Sequence, residues 1–243
     1  MPHLLWFMLF KETLSLVHEA VFPLFCIECD KEGELLCTSC KSNPEPRMKN
    51  HCPYCRRVTP YGASCARHMN RDLDGVIAIY PYGYNRAKSL IRMWKYSFVR
   101  EVELVLSKIV DSYCSDQCPL TPFDDPVIVA LPLSSRRKRE RGFDQAELLA
   151  QMLAESTRLS KMTVLNRIRS RRKHQADIVD KEIRRKQNLS KDFLVNTNCT
   201  HVPESVIIVD DVYTTGVTMS AASSALKRYG VGQVWGFVIA RAD

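Results

Sequence analysis

The segment 206–218 has the sequence VIIVDDVYTTGVT, and it constrains the fold of this chain more than any other stretch. Its first four apolar residues predict a buried strand, and the carboxylates Asp210 and Asp211 follow at the carboxyl end of that strand. A turn rich in hydroxyl groups comes next, and a helix is expected to begin at about Met219. This order is typical of α/β sheets, in which ligands bind outside the carboxyl ends of the strands.

The turn after the two carboxylates has the chemistry of a sugar-phosphate site. Its backbone N–H groups and the helix N-terminus attract a phosphate, and Gly216 lets the backbone come close to it. Hydroxyls can donate to phosphate oxygens, and the carboxylates can accept from ribose hydroxyls. An ordinary strand, turn and helix with acidic residues is the alternative. The residues expected to bind are Asp210, Asp211, Tyr213, Thr214, Thr215, Gly216, Val217 and Thr218.

The cysteines form a second pattern, since seven of the ten lie between Cys26 and Cys65. Pairs separated by two residues let two side chains grip one tetrahedral Zn²⁺, and two such pairs close a structural site. Few large apolar residues lie in this region, so metal binding must supply much of its folding free energy. Whether one or two zinc ions bind is left open. The expected ligands are Cys26, Cys29, Cys37, Cys40, Cys52, Cys55, Cys65 and His68.

Two other uses of these cysteines are possible. A secreted protein with so many cysteines would form disulfides, and a single Cys-x-x-Cys pair could be a redox site. The regular two-residue spacing of four successive pairs favours zinc over both. His51 is an alternative ligand beside Cys52, although a bystander role fits it better.

The charge of the chain is concentrated in its middle. The chain has 243 residues and a net charge of +8, and residues 134–191 contain 17 Lys and Arg against 7 Asp and Glu. Such a basic segment attracts phosphate ligands or nucleic acid, and it is equally compatible with a solvated loop that has no partner. These three interpretations stay open from the sequence.

Apolar periodicity and turn residues predict the order of the elements. We expect an α/β protein with a mainly parallel sheet flanked by helices. No apolar run is long enough to span a membrane. Cytoplasmic residence is expected, and a signal peptide is the alternative for the apolar N-terminus. The predicted elements are helices at 1–25, 85–113 and 144–159, strands at 74–80, 126–133, 163–165, 206–209 and 233–240, and a basic loop at 134–143.

Two stretches resemble known families. Residues 206–218 resemble the phosphoribosyl-pyrophosphate (PRPP) signature of type I phosphoribosyltransferases. Residues 136–145, RRKRERGFDQ, resemble the basic run ending in Arg-Gly-Phe-Asn-Gln of the ComF/GntX family. That family joins an N-terminal cysteine-rich module to a phosphoribosyltransferase-like domain. Its further spacing of basic, amide and aromatic residues is matched by Arg167, Arg169, Gln175, Arg184, Asn188 and Phe193.

The resemblance implies a fold, ligands and a role. It implies an N-terminal helix and double zinc finger over 1–70 and a type I phosphoribosyltransferase-like domain over 71–243. It also implies binding of PRPP with Mg²⁺, and a role in natural competence through single-stranded DNA and other competence proteins. The pyrophosphate and basic loop would comprise Leu131, Pro132, Leu133, Arg136, Arg137, Arg139 and Arg141.

Three residues depart from the family patterns. Asp144 replaces the usual Asn and adds a negative charge near the expected phosphate clamp. Tyr213 is larger than the usual aliphatic residue, and Val217 replaces Ala. No residue can be named as catalytic, so two other functions remain alternatives. One is a genuine phosphoribosyltransferase acting on an unidentified acceptor, and the other is a nucleic-acid-binding adaptor with a residual PRPP site.

Overall fold

A computed structural model describes residues 23–46, 48–96, 100–117, 123, 125–168, 192–196 and 202–242. The chain divides into two compact units, Met1–Glu45 and Pro46–Asp243. The division falls between the first four expected zinc ligands and the last four. A domain boundary at residue 70 stays a prediction, and the helix expected at 1–25 lies almost wholly outside the described residues.

The smaller unit has one short helix in its described part, α1 (Thr38–Lys41). The larger unit has a 3-10 helix (Pro60–Gly62) and an alternation of strands and helices. These elements are β1 (Gly75–Pro81), α2 (Asn85–Tyr96), α3 (Arg100–Gln117), β2 (Val127–Ala130), α4 (Ser135–Arg141), α5 (Gln145–Thr157), β3 (Leu165–Arg167), β4 (Phe193–Val195), β5 (Ser205–Tyr213), α6 (Val217–Tyr229) and β6 (Gln233–Arg241).

The main sheet has the strand order β1-β6-β5-β2, and all of its neighbouring strands are parallel. A separate antiparallel pair joins β3 to β4. The predicted fold class is therefore confirmed in its mainly parallel sheet with flanking helices. The strand at Phe193–Val195 was not predicted, because three residues are too few to show a period.

Both faces of the sheet are covered, which explains the continuous apolar runs of its strands. On one face, Val206 and Ile208 of β5 belong to the same buried cluster as Ala222 and Leu226 of α6. On the other face, α5 packs against β2 and β5, and α3 packs against α5. No helix among the described residues is both long and apolar enough to cross a membrane.

The predicted basic loop at 134–143 is wrong for most of its length, because Ser135–Arg141 forms the helix α4. Arg, Lys and Glu are good helix formers, and the segment contains no proline. The helix ends at Gly142, whose positive φ of 74° suits glycine. The single helix expected at 85–113 corresponds to α2 and α3, on either side of residues 97–99, which are not described.

The register of β2 and β5 places two expected binding segments at one edge. Ala130 pairs with Val209, and the Leu131 N–H donates to the Val209 carbonyl at 2.9 Å. Parallel strands end at the same edge of a sheet, so the segment after β2 and the turn after β5 both begin there. This is the edge at which the sequence predicts a ligand.

Candidate functional site

The turn after β5 leads directly into α6. Gly216 is the N-cap of this helix, with φ 68° and ψ 0°, and no side chain caps the helix N-terminus. Thr214 and Thr215 are exposed, while Val217 and Thr218 are half-buried. The first N–H groups of α6 therefore lie beside exposed hydroxyl side chains, an arrangement that suits an anion.

The two carboxylates before the turn differ in their surroundings. Asp210 is half-buried, and its Oδ1 accepts from the Asp211 N–H at 2.8 Å. Asp211 is buried, and its Oδ2 lies 2.7 Å from Nζ of Lys95 on α2. Sequence reasoning missed Lys95, because nothing in the α2 sequence shows that this lysine meets β5. The structure thus gives Asp211 a cationic partner and leaves Asp210 as the more accessible acid.

The side chain of Tyr213 packs against the second cysteine cluster. It is buried, and its hydroxyl donates to the Pro53 carbonyl at 3.3 Å. The Arg241 guanidinium lies over the Tyr213 ring, 5.0 Å from the ring centre. A Cβ at Gly216 would lie only 2.0 Å from the Tyr213 hydroxyl, so the turn rests closely on this phenol. The Tyr213 side chain therefore contacts the second cluster, Arg241 and the ligand turn together.

The basic segment after β2 presents part of its charge to solvent. Leu131 is buried, Pro132 and Leu133 are half-buried, and Lys138 and Arg139 are exposed. The side chains of Arg136 and Arg137 lie outside the description. The basic segment therefore follows β2, as the sequence predicts, and its exposed cations lie on α4.

Three side chains near this segment have specific partners. Arg141 Nη1 donates to Oε1 of the buried Gln145 at 2.9 Å. Asp144 is the N-cap of α5, and its Oδ1 accepts from the Glu147 N–H at 3.4 Å. Burial raises the pKa of the Asp144 carboxyl above its ordinary value. The unusual Asp at this position therefore caps a helix, as an Asn there would.

Of the further family-matched residues, the structure describes Arg167 and Phe193 and brings them together. The Arg167 guanidinium lies 5.2 Å from the centre of the Phe193 ring, and Arg167 donates to the Pro132 carbonyl at 3.5 Å. Arg167 thus connects the β3–β4 pair to the segment after β2. The matched residues Arg169, Gln175, Arg184 and Asn188 lie outside the described residues.

The eight expected metal ligands form two groups of four, and within each group the ligand atoms all lie within 4.8 Å of one another. Cys26, Cys29, Cys37 and Cys40 form the first cluster, in the smaller unit. Cys52, Cys55, Cys65 and His68 form the second cluster, in the larger unit. No disulfide joins the described cysteines.

The donor sets and spacings fit zinc. Zn–S bonds of about 2.3 Å in a tetrahedral site put two sulfur ligands about 3.8 Å apart. The Cys29 and Cys37 sulfurs are 3.6 Å apart, as are those of Cys55 and Cys65. His68 Nδ1 lies 3.3 Å from the Cys65 sulfur. Each cluster can therefore supply a closed set of four soft ligands, which is typical of a structural metal site.

The pKa of two thiols in the first cluster, Cys26 and Cys37, and of one in the second, Cys65, lies below the ordinary value. A hydrogen bond with Ser39 lowers the pKa of Cys37 to about 6. Burial raises the pKa of Cys65, but hydrogen bonds with Cys55, the Arg67 backbone and His68 outweigh it and lower the value to about 6. Thiolates are the form that binds metal. His51 stands outside both clusters, and its Nδ1 lies 2.7 Å from the Lys49 carbonyl oxygen.

Comparisons with known proteins assign the chain to a family. No family model matches it. Competence protein F of Haemophilus influenzae is 30% identical over 237 residues, which cover 91% of this chain and 98% of that protein. Competence proteins ComFC of Bacillus subtilis and Streptococcus pneumoniae are each 25% identical over 86% of this chain, and over 91% and 89% of their own lengths.

The fold and its two clusters define an α/β protein that carries two sets of soft metal ligands. The chain belongs to the competence protein F (ComF) family, as the resemblance of its basic segment implied. Among solved structures, it is similar to an allosteric regulatory enzyme of purine biosynthesis, with a TM-score of 0.37 and 15% identity over 60% of this chain and 29% of that one. That similarity is too low to contribute to the assignment.

Proposed function

We propose that this protein binds PRPP, or a related ribose phosphate, at the carboxyl edge of its main sheet. The observation that carries the proposal is the turn after β5, where two carboxylates precede a helix N-terminus that no side chain caps. The N–H groups of the turn and the hydroxyls of Thr214, Thr215 and Thr218 would bind the 5′-phosphate. Asp210, the more accessible acid, would accept from the ribose hydroxyls.

The diphosphate of PRPP would face the segment after β2, which begins at the same edge. Arg and Lys side chains of α4 supply positive charge there, and Arg guanidinium groups suit bidentate contacts with phosphate oxygens. Mg²⁺ bound to the diphosphate would neutralise part of its charge. Asp144 caps α5 through the Glu147 N–H, and burial raises the pKa of its carboxyl.

We propose one structural zinc ion in each cysteine cluster. Four ligands from the protein leave no open coordination position for a substrate, so neither ion would be catalytic. Cysteines that bind zinc must stay reduced, so a reducing compartment suits both ions, and we propose a cytoplasmic location.

The names of the relatives support a role in natural competence. Two are called competence protein ComFC and one competence protein F. We propose that this chain acts in the uptake and handling of incoming single-stranded DNA, together with other competence proteins.

Calorimetric titration with PRPP and Mg²⁺ tests the binding proposal. Asp210→Ala removes charge-assisted hydrogen bonds to ribose and should weaken binding by about 1–3 kcal/mol. Asp116→Ala, an exposed acid on α3, is the matched control and should leave the affinity unchanged. If the native protein does not bind PRPP, or if both variants bind it equally well, the proposed site is wrong.

Nucleic-acid binding is a second candidate, favoured by the exposed Lys138 and Arg139 on α4. Contacts with phosphates make affinity fall steeply as salt concentration rises. If single-stranded DNA binding is lost in Lys138→Gln/Arg139→Gln while the PRPP affinity of that variant is unchanged, and DNA binding survives Asp210→Ala, the two ligands use separate sites. Release of pyrophosphate only with a particular acceptor would instead identify a genuine phosphoribosyltransferase.

A further inference from the structure

We propose that Tyr213 and Arg241 are positioning residues that couple metal binding at the second cysteine cluster to ligand binding at the turn after β5. The inference rests on the proposed function, because it requires both a metal in that cluster and a phosphate ligand at the turn. It assigns the second cluster a task beyond folding, which is to set the affinity of the ligand site.

Side chains at the ends of β5 and β6 donate hydrogen bonds to three consecutive backbone carbonyls, those of the metal ligand Cys52 and its two neighbours. Arg241, at the end of β6, is buried and donates to the His51 carbonyl at 2.7 Å and the Cys52 carbonyl at 3.1 Å. Tyr213, at the end of β5, donates to the Pro53 carbonyl at 3.3 Å. A displacement of the Cys52–Cys55 turn would therefore shift the hydrogen-bond acceptors of Arg241 and Tyr213, at the ends of both strands.

Tyr213 transmits such a displacement to the ligand turn through direct contact. The Gly216 backbone lies so close to the phenol that a Cβ there would be 2.0 Å from the hydroxyl and 2.3 Å from Cζ. Because Gly216 is the N-cap of α6, its position sets the direction of the first N–H groups of the helix. If Pro53 moves, the Tyr213 phenol moves with it, and the turn at Gly216 is displaced as well.

The opposite side of the second cluster is fixed to the sheet as well. The Tyr54 hydroxyl accepts from the Leu73 N–H at 3.0 Å, and the Tyr54 ring lies 5.5 Å from the ring of the metal ligand His68. Ser64, beside the ligand Cys65, donates to the Leu73 carbonyl at 2.7 Å. The second cluster is thus attached to Leu73, two residues before β1, and to the ends of β5 and β6. A bound metal ion would fix its four ligands in one geometry.

A cavity of about 410 Å³ lies at this junction, between the second cluster and α6. The metal ligand His68 and Thr215 of the ligand turn both line it, together with Tyr54 and Ser220. Open space beside the turn gives it room to adopt a second position when the cluster loosens. Two positions of one element are what coupling between two sites requires.

Coupling must be reciprocal, and this gives a test that does not depend on enzymatic activity. If zinc raises the affinity for PRPP, PRPP must raise the affinity for zinc by the same factor. We expect a factor of about ten, within the range common for coupled sites. Zinc affinity is measured by competition with a chromophoric chelator, with and without PRPP and Mg²⁺. The Cys29→Ser background removes metal binding by the first cluster.

Tyr213→Phe keeps the ring beside Gly216 and removes the hydroxyl, with its hydrogen bond to Pro53 and its contact with the Gly216 backbone. We expect this variant to bind both ligands while its coupling factor falls towards one. Tyr96→Phe makes the same chemical change at an exposed position on α2 and should keep the full factor. Circular dichroism in the chelator establishes that the sheet stays folded, so that linkage to global unfolding does not imitate the effect.

The absorption spectrum of cobalt(II) bound in the second cluster is an independent measurement. If Tyr213 had a purely structural role, PRPP would not change this spectrum. PRPP should shift the visible absorption bands of bound Co²⁺ in the native sequence and in Tyr96→Phe, and much less in Tyr213→Phe. Binding of PRPP with unchanged zinc affinity and an unchanged cobalt spectrum overturns the inference alone. Failure to bind PRPP, or to bind metal, overturns the proposed function and the inference with it.

Discussion

At the scale of single residues, the ion pair between Lys95 and Asp211 is the most informative contact of the candidate site. The two side chains are only 19% and 10% exposed, so water screens the pair poorly. The pair draws the Asp211 carboxylate towards α2 and fixes one of the two expected sugar-binding acids. Its geometry makes Lys95 part of the site although the residue lies on a separate helix.

Lys95→Met is expected to destabilise the fold by about 1–3 kcal/mol, because it leaves the Asp211 carboxylate largely buried without its cation. Urea unfolding measures the loss. Lys88→Met, an exposed position of the same helix, is the matched control and should cost little. The double variant Lys95→Met/Asp211→Asn should recover part of the stability. Equal stabilities of the two lysine variants would contradict the assignment.

Gly216→Ala is expected to destabilise the protein by about 1–3 kcal/mol and to weaken ribose-phosphate binding. Alanine is strained at φ 68°, and its Cβ would overlap the Tyr213 hydroxyl. Thermal unfolding and PRPP titration measure the two effects. Gly83→Ala, where a Cβ meets nothing within 4 Å, should change neither. An unaffected Gly216→Ala variant would show that the turn does not rest on Tyr213.

At the scale of elements, the two helices that follow β2 have different tasks. α4 carries basic residues, and α5 begins at its N-cap Asp144. α4 ends at Gly142, and α5 starts with Asp144 as its N-cap. Because burial raises the pKa of Asp144 in the folded state, ionisation of this carboxyl opposes folding. Its contribution to stability is therefore fully present below its ordinary pKa and is lost as pH rises through the raised value.

Asp144→Asn is expected to gain stability relative to the native sequence as pH rises from below the ordinary carboxyl pKa through the raised value, because the amide keeps the cap and does not ionise. Asp144→Ala should lose about 0.5–1 kcal/mol with the cap. Melting temperatures over this pH range test both, with the exposed Asp116→Asn as control. Parallel pH curves for Asp144→Asn and the native sequence would refute the expected effect.

The elements also show which features were predictable. The strand that contains Asp210 and Asp211 and the helix after Gly216 follow from apolar runs and turn chemistry, which are local, although β5 continues past the predicted end at Val209 to Tyr213. The two cysteine groups follow from spacing alone. Lys95, Arg241 and the contact between Tyr213 and Pro53 join segments far apart in the chain, so no local pattern encodes them. The run of charges at 134–143 predicts a loop, whereas the structure forms α4 there, because Arg, Lys and Glu are good helix formers.

At the scale of the whole molecule, the two cysteine clusters belong to different compact units and should act separately on stability. We expect two zinc ions per chain and one after either Cys29→Ser or Cys55→Ser, two exposed ligands in matching positions. Only Cys55→Ser should lower the melting temperature of the larger unit, because only the second cluster lies within it. Metal analysis and calorimetry measure both effects, and a native content of one ion would contradict the scheme.

The strand order makes β6 the link between β1 and the rest of the main sheet. β1 has no ladder with β5 in the main sheet, and β6 pairs with both of them. β1 can therefore separate from β5 and β2 only if β6 loses its hydrogen bonds to β1 or to β5. Backbone amides at the centre of β6 should exchange with deuterium at the rate of global unfolding, while those of the edge strand β2 exchange through smaller local openings. The sheet is in this respect one cooperative body that is held together by its two central strands, β6 and β5.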